Sequence, residues 1–219
     1  MAPFSERQTL FWSENKIHSI VEQKNHSHQQ DASLHINQGS APAPAVQLPF
    51  IRQTAHQIDL LNDWLKKLTA TDEPKEKREL LRRIVVVGAY LKRRNNLVLV
   101  SEQDGLIKEE ELNLSIKEMM KNLQIAGVNC ASSVQFEKDL PADVAMKLFD
   151  FYEYVVENAF DGLSYLLARF FYRDNSFYAC IDAVCSLDLT TLQTEQISVS
   201  VSDENCYTLS LKVEGGNGK

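Results

Sequence analysis

KEKRELLRRIVVVGAYLKRRNNLVLVSEQ, residues 75–103, can be read as a strand or as a helix, and the fold turns on which is right. Three successive valines, Val85 to Val87, followed by Gly88 argue for a strand, because β-branched residues and glycine are poor helix formers. Length argues the other way. The segment approaches thirty residues with only Gly88 as a breaker, far beyond the roughly 3–10 residues of an ordinary strand. Leu80, Ile84, Val87, Leu91 and Val98 supply an apolar stripe along it. Upstream, Thr54, Ile58, Leu61, Leu65 and Leu68 recur at steps of three and four, with Trp64 beside them. That is the period of an amphipathic helix. Between the two lies TATDEPKEK, where Pro74 suits the first turn of a helix and Thr71 or Asp72 its cap. The prediction is a helical hairpin, 51–69 and 74–103. Two helices cannot bury apolar faces on both sides, so the hairpin is expected to dimerise into a four-helix bundle.

Beyond the turn at Asp104-Gly105 the pattern changes. KEEELNLSIKEMMKNLQIAG reads as a helix with Leu112, Ile116, Met119, Met120 and Leu123 inward, and VNCASSVQF as a strand. Asp139 and Pro141 mark the start of a long helix whose buried face holds Leu148, Phe151, Tyr152, Val155, Val156, Ala159 and Phe160. SYLLARFFY and FYACIDAV flank the turn RDNS, and EQISVSVSDENCYTLSLKVEGG forms a second hairpin about DEN. This order predicts an α+β chain: a helical hairpin, then helices on one face of a mostly antiparallel sheet. The expected divisions are an N-terminal helix and flexible linker (1–50), the hairpin (51–104), the α/β sandwich (105–214) and a tail (215–219).

The 219 residues carry a formal charge of −7, which argues against a nucleic-acid binder. From Lys75 to Arg94, however, eight bases face two acids. Lys92-Arg93-Arg94 within it reads as a solvated helix face or a docking surface for an acidic partner. No run approaches the roughly 20 apolar residues that span a bilayer, and MAPFSERQTLFWSEN lacks the apolar core of a secretory signal. Cys130, Cys180, Cys185 and Cys206 form no CxxC pair, which suits reduced thiols and a cytoplasmic location. His26, His28 and His35 fall near or within the polar stretch NHSHQQDASLHINQGSAPAPAVQLP without carboxylate or thiolate partners, so no metal site is expected there.

With a hairpin, a helix, a strand, a long helix and an antiparallel sheet in this order, residues 51–213 resemble the transmitter region of sensor histidine kinases. The segments GAYLKRRNNLVLVSE, ELNLSIKEMMKNLQIAGVNCA and LFDFYEYVVENAFDGLSYLLARF are similar to a divergent Gram-positive subgroup. The resemblance implies two-component signalling, a homodimer, ATP and Mg²⁺ as cofactors, and a response-regulator receiver domain as partner. It also implies four site features. A phosphoacceptor histidine on the first hairpin helix corresponds to His56, in TAHQIDLL, followed by Gln57 instead of the usual acid; Asp59 or Asp63 is left to orient the ring across a helical turn. On the long helix, Glu153 matches the family's acid, Glu157 stands where its asparagine belongs, and Asn158 falls one residue late, rotated by about 100°. In FYACIDAVCS, residues 177–186, Asp182 matches the acid that bonds adenine, while Val184 and Ser186 replace both glycines of the adjoining turn. The region of the mobile lid, CSLDLTTLQTEQ, contains no glycine.

The expectation is therefore a histidine-kinase-like module with degenerate ATP motifs. His56 is the candidate phosphoacceptor, Glu153, Glu157 and Asp182 are the candidate nucleotide contacts, and no metal ligands are assigned. An ATP-independent histidine phosphotransferase of the sporulation-relay type and a non-enzymatic dimeric scaffold stand as alternatives. Exposure of His56 separates those two, since a buried imidazole cannot accept phosphate.

Overall fold

The computed structural model describes residues 47–214, apart from the side chains of 47–53 and 103–104. The expected N-terminal helix and linker, with the three histidines, and the tail 215–219 lie outside the described residues. The architecture is α+β: two helices come first, and a mixed α/β sheet region follows. Among the described residues no helix is long and apolar enough to cross a membrane.

The helical reading of residues 75–103 holds. Helix α1 runs Gln47–Ala70 and α2 runs Pro74–Asp104, with Pro74 at the start of α2 where its missing N–H costs nothing. Gly105 ends α2 in the left-handed region at φ 66°, and its N–H donates to the Ser101 carbonyl at 2.9 Å. Strand β1 (Leu106–Ile107), helix α3 (Glu109–Ile125), strands β2 (Asn129–Gln135) and β3 (Leu140–Pro141) and helix α4 (Ala142–Ala159) follow. The sheet is completed by β4 (Leu163–Arg173), β5 (Ser176–Cys185), β6 (Ile197–Asp203) and β7 (Cys206–Glu214), with a 3-10 turn at Thr190–Leu192 between β5 and β6.

The chain divides into two compact units, Met1–Asp63 and Trp64–Lys219, with the boundary in sequence falling within α1. Of the first, the described part is the α1 backbone up to Asp63, with Leu61 buried and His56, Asp59 and Asp63 exposed. The second contains everything from Trp64 on. Helix α2 lies in this second unit together with the sheet. The reason is visible along its length. Val86 to Leu91, Arg94 and Leu97 are all buried, and α2 packs on both α3 and α4.

The five-stranded sheet has the order β2-β4-β5-β7-β6, parallel between β2 and β4 and antiparallel elsewhere. The β4–β5 hairpin closes through Asp174 and Asn175, both at positive φ, the two-residue turn whose twist suits a hairpin. Alternation along the strands separates two faces. Leu166, Ala168 and Phe170 of β4, Ala179, Ile181, Ala183 and Cys185 of β5, and Leu209 and Leu211 of β7 are buried. This face meets the helices: the rings of Phe170 and Tyr152 lie 6.5 Å apart, and the Cys185 thiol sits 3.5 Å from the Ala159 carbonyl oxygen. The residues between them, among them Leu167, Arg169, Cys180, Asp182, Thr208 and Ser210, are on the opposite face and half-buried or exposed.

Candidate functional site

His56 lies near the middle of α1. Its side chain is exposed, as are those of Asp59 and Asp63, which follow at i+3 and i+7. At 3.6 residues per turn these positions share one side of the helix.

Of the three expected nucleotide contacts, Asp182 stands apart from Glu153 and Glu157, on the opposite face of the sheet. FYACIDAVCS does not end its strand at the acid. β5 continues to Cys185, pairing Ala183 with Tyr207 and Val184 with Cys206 on β7. Asp182 is therefore an interior strand residue, and its neighbours Ile181 and Ala183 point to the helices while it points away. Arg169 Nη2 donates to Asp182 Oδ2 at 2.7 Å, and Thr208 Oγ1 donates to Oδ1 at 2.8 Å. Both carboxylate oxygens are thus engaged on the sheet's outer face.

Glu153 and Glu157 sit one turn apart on α4, on the other side of the sheet. Glu153 is 1% exposed, and neither carboxyl oxygen has a hydrogen-bond partner among the described residues. Burial, with the nearby negative charges of Glu157 and Asp150, pushes its pKa well above the ordinary glutamate range. Glu157 is half-buried, and Asn158 is exposed with its amide donating to the Tyr154 carbonyl at 2.7 Å. Among the described residues no group of three or more His, Cys, Asp or Glu side chains could hold a metal ion. The stretch 185–196 forms a 3-10 turn with Leu189 and Leu192 buried, which pins it to the sheet region.

A polar cluster the sequence reading missed joins α2 to α4. Arg94 is 1% exposed; its Nε and Nη2 donate to the two oxygens of Asp150 at 2.7 and 2.9 Å. Tyr90 Oη donates to Asp150 Oδ1 at 2.8 Å, and the Tyr90 ring stacks on Phe149 at 5.5 Å. Burial of Tyr90 and the adjoining Asp150 charge raise its pKa, so the hydroxyl keeps its proton. Burial alone would lower the Arg94 pKa, but the hydrogen bonds and charge of Asp150 outweigh it and raise the value.

The cluster Lys92-Arg93-Arg94 is thus only partly a solvated face, with Lys92 exposed and Arg93 half-buried. Arg94 is internal, Lys92 and Arg93 both pair with Glu118 of α3, and Arg83 pairs with Asp161 just beyond α4. Burial would raise the Glu118 pKa, yet Arg93 and Lys92 together hold it below the usual range. One signal was legible in the sequence: Asp150 interrupts an apolar run, LFDFY, where an acid needs a buried cation.

No family model and no curated protein match the chain. Among solved structures it is similar to a bacterial phosphotransferase, at 12% identity and a TM-score of 0.45, covering 78% of this chain and 98% of that one. It is also similar to the histidine kinase AdeS of Acinetobacter baumannii, at 12% identity and a TM-score of 0.40, over 74% of this chain and 96% of that one. A third is histidine kinase ThkA, solved in complex with the response regulator protein TrrA, at 10% identity and a TM-score of 0.35, over 77% and 60%.

Proposed function

We propose that this chain is a cytoplasmic two-component signalling module that relays a phosphoryl group through His56 and does not itself bind ATP. The observation that carries the proposal is His56, exposed on α1 with Asp59 and Asp63 on the same side. A neutral imidazole nitrogen attacks the phosphorus of a receiver-domain aspartyl phosphate. The N–P bond forms as the P–O bond to the aspartate breaks, and the aspartate leaves as a carboxylate. Positive charge develops on the ring, and a carboxylate one or two turns away stabilises it.

Three placements support the part of the reading that concerns ATP. Asp182, the expected adenine contact, is engaged with Arg169 and Thr208 on the outer face of the sheet. Glu153 is closed into the core, and the stretch where a lid is expected is a short turn without glycine. A homodimer formed through α1 and α2 completes the proposal.

The test uses the full chain and a receiver domain phosphorylated by a small phosphodonor. Wild type should acquire acid-labile phosphate and His56→Ala should acquire none. Calorimetric titration with Mg²⁺ and ATP should give no heat of binding at millimolar nucleotide. Equal labelling of His56→Ala sinks the relay. Micromolar ATP binding abolished by Asp182→Ala sinks the ATP-independent part and restores the kinase reading.

A further inference from the structure

The seam between α2 and α4 is zipped by charge at both ends. At one end Arg94 and Tyr90 hold Asp150; at the other, Arg83 pairs with Asp161. Between Arg83 and Tyr90, α2 offers only Ile84, Val85, Val86, Val87, Gly88 and Ala89. Across the corresponding length of α4 stand two acids, Glu153 and Glu157. Glu153 is the deeper, with both oxygens buried and unbonded among the described residues. A carboxylate there has no cation on the facing stretch of helix and acids on either side, at i−3 and i+4. Such a charge in a low-dielectric surround is far costlier than the protonated acid.

We propose that Glu153 is a neutral carboxylic acid in the folded protein, so that closing the α2–α4 seam takes up one proton and makes the seam a pH-sensitive latch.

The groups that act on it are consistent. On its own helix, Asp150, Glu157 and Tyr152 surround it, and the first two raise its affinity for a proton. From α2, Tyr90 contributes a hydroxyl that stays protonated, and Arg94 is drawn to Asp150. On α3 the buried polar side chains are Ser115 and Asn122, both neutral, while Glu118 is paired with Lys92 and Arg93. The sheet face opposite is apolar, including Phe170 and Ile181.

The sign of the linkage follows. A folded pKa above the unfolded value of about 4.3 means the native chain holds a proton the unfolded chain has released. The stabilisation is complete below the unfolded pKa and is lost as pH rises through the folded pKa.

The experiment is urea unfolding of the full chain from about pH 5 to about pH 9, where one extra bound proton changes the unfolding constant about tenfold per pH unit. Wild type should lose stability with rising pH over that range. Glu153→Met should flatten the slope by the equivalent of one proton, and Glu157→Gln should move the loss to lower pH. Difference infrared spectra of wild type at neutral pH should contain a protonated-carboxyl C=O band, shifted in protein made with ¹³C-glutamate. Equal slopes in wild type and Glu153→Met, or no such band, overturns the proposal. The infrared arm stands even if the variant does not fold.

Discussion

Arg94 shows what a single charge does when the chain closes around it. A guanidinium at 1% exposure is tolerable because Asp150 accepts from two of its nitrogens and Tyr90 adds a third donor to the same carboxylate. Removing Asp150 takes away the carboxylate that balances a buried guanidinium, and breaking a buried pair in this way costs about 3–5 kcal/mol. Asp150→Ala should therefore lower stability by that order in urea unfolding, whereas the paired replacement Arg94→Met with Asp150→Leu should recover most of it. A loss below about 1 kcal/mol in the single variant would mean that the pair is a surface contact. Asp182 offers the contrast. Its ion pair with Arg169 is partly exposed, and pairs of that kind contribute about 0–1 kcal/mol, so Asp182→Ala is a clean probe of nucleotide binding.

Helix α2 is decided by length and by its neighbours more than by local preference. Val85, Val86 and Val87 are poor helix formers, but all three lie in a stretch covered by other parts of the protein, and packing outweighs a few tenths of a kcal/mol apiece. Its end is set by one residue. Gly105 sits at φ 66°, and a Cβ added there would have nothing within 4 Å, so Gly105→Ala meets no clash and reports backbone strain alone. The expected cost is about 1 kcal/mol, read as a drop in melting temperature with α4 and the sheet otherwise intact. β5 makes the same point for strands. Its alternation runs past Asp182 to Cys185 because β7 supplies register partners beyond the acid, with Thr208 opposite Asp182 and Cys206 opposite Val184.

At the scale of the whole molecule, the described part of the first unit is a helix with an exposed histidine, and the second unit holds the sheet and the ion pairs of α2. If the hairpin is a dimerisation element, as proposed, sedimentation equilibrium should give twice the monomer mass at micromolar concentration. Charges introduced at Leu65 and Leu68, half-buried on the apolar stripe of α1, should shift it to the monomer. A monomeric wild type would leave the relay to a single chain and remove the bundle from the proposal.

Elements were the legible part of this protein. Helical periodicity, turn residues such as Asp174-Asn175, and strand alternation are local, and each depends on neighbours within a few positions. The sequence alone thus determined two long helices, then a helix–strand–helix run and two hairpins on an α+β plan. Site geometry was not legible in the same way. The match of Asp182 to a family acid says nothing about which face of the sheet it occupies, because that depends on where β5 ends and which partners extend it. The burial of Glu153 and the capture of Arg94 by Asp150 depend on residues more than fifty positions apart meeting across the α2–α4 seam. Asp150 within LFDFY signals that a buried cation is needed but not which one; only packing sets those meetings, since desolvation and pairing energies arise when distant surfaces close.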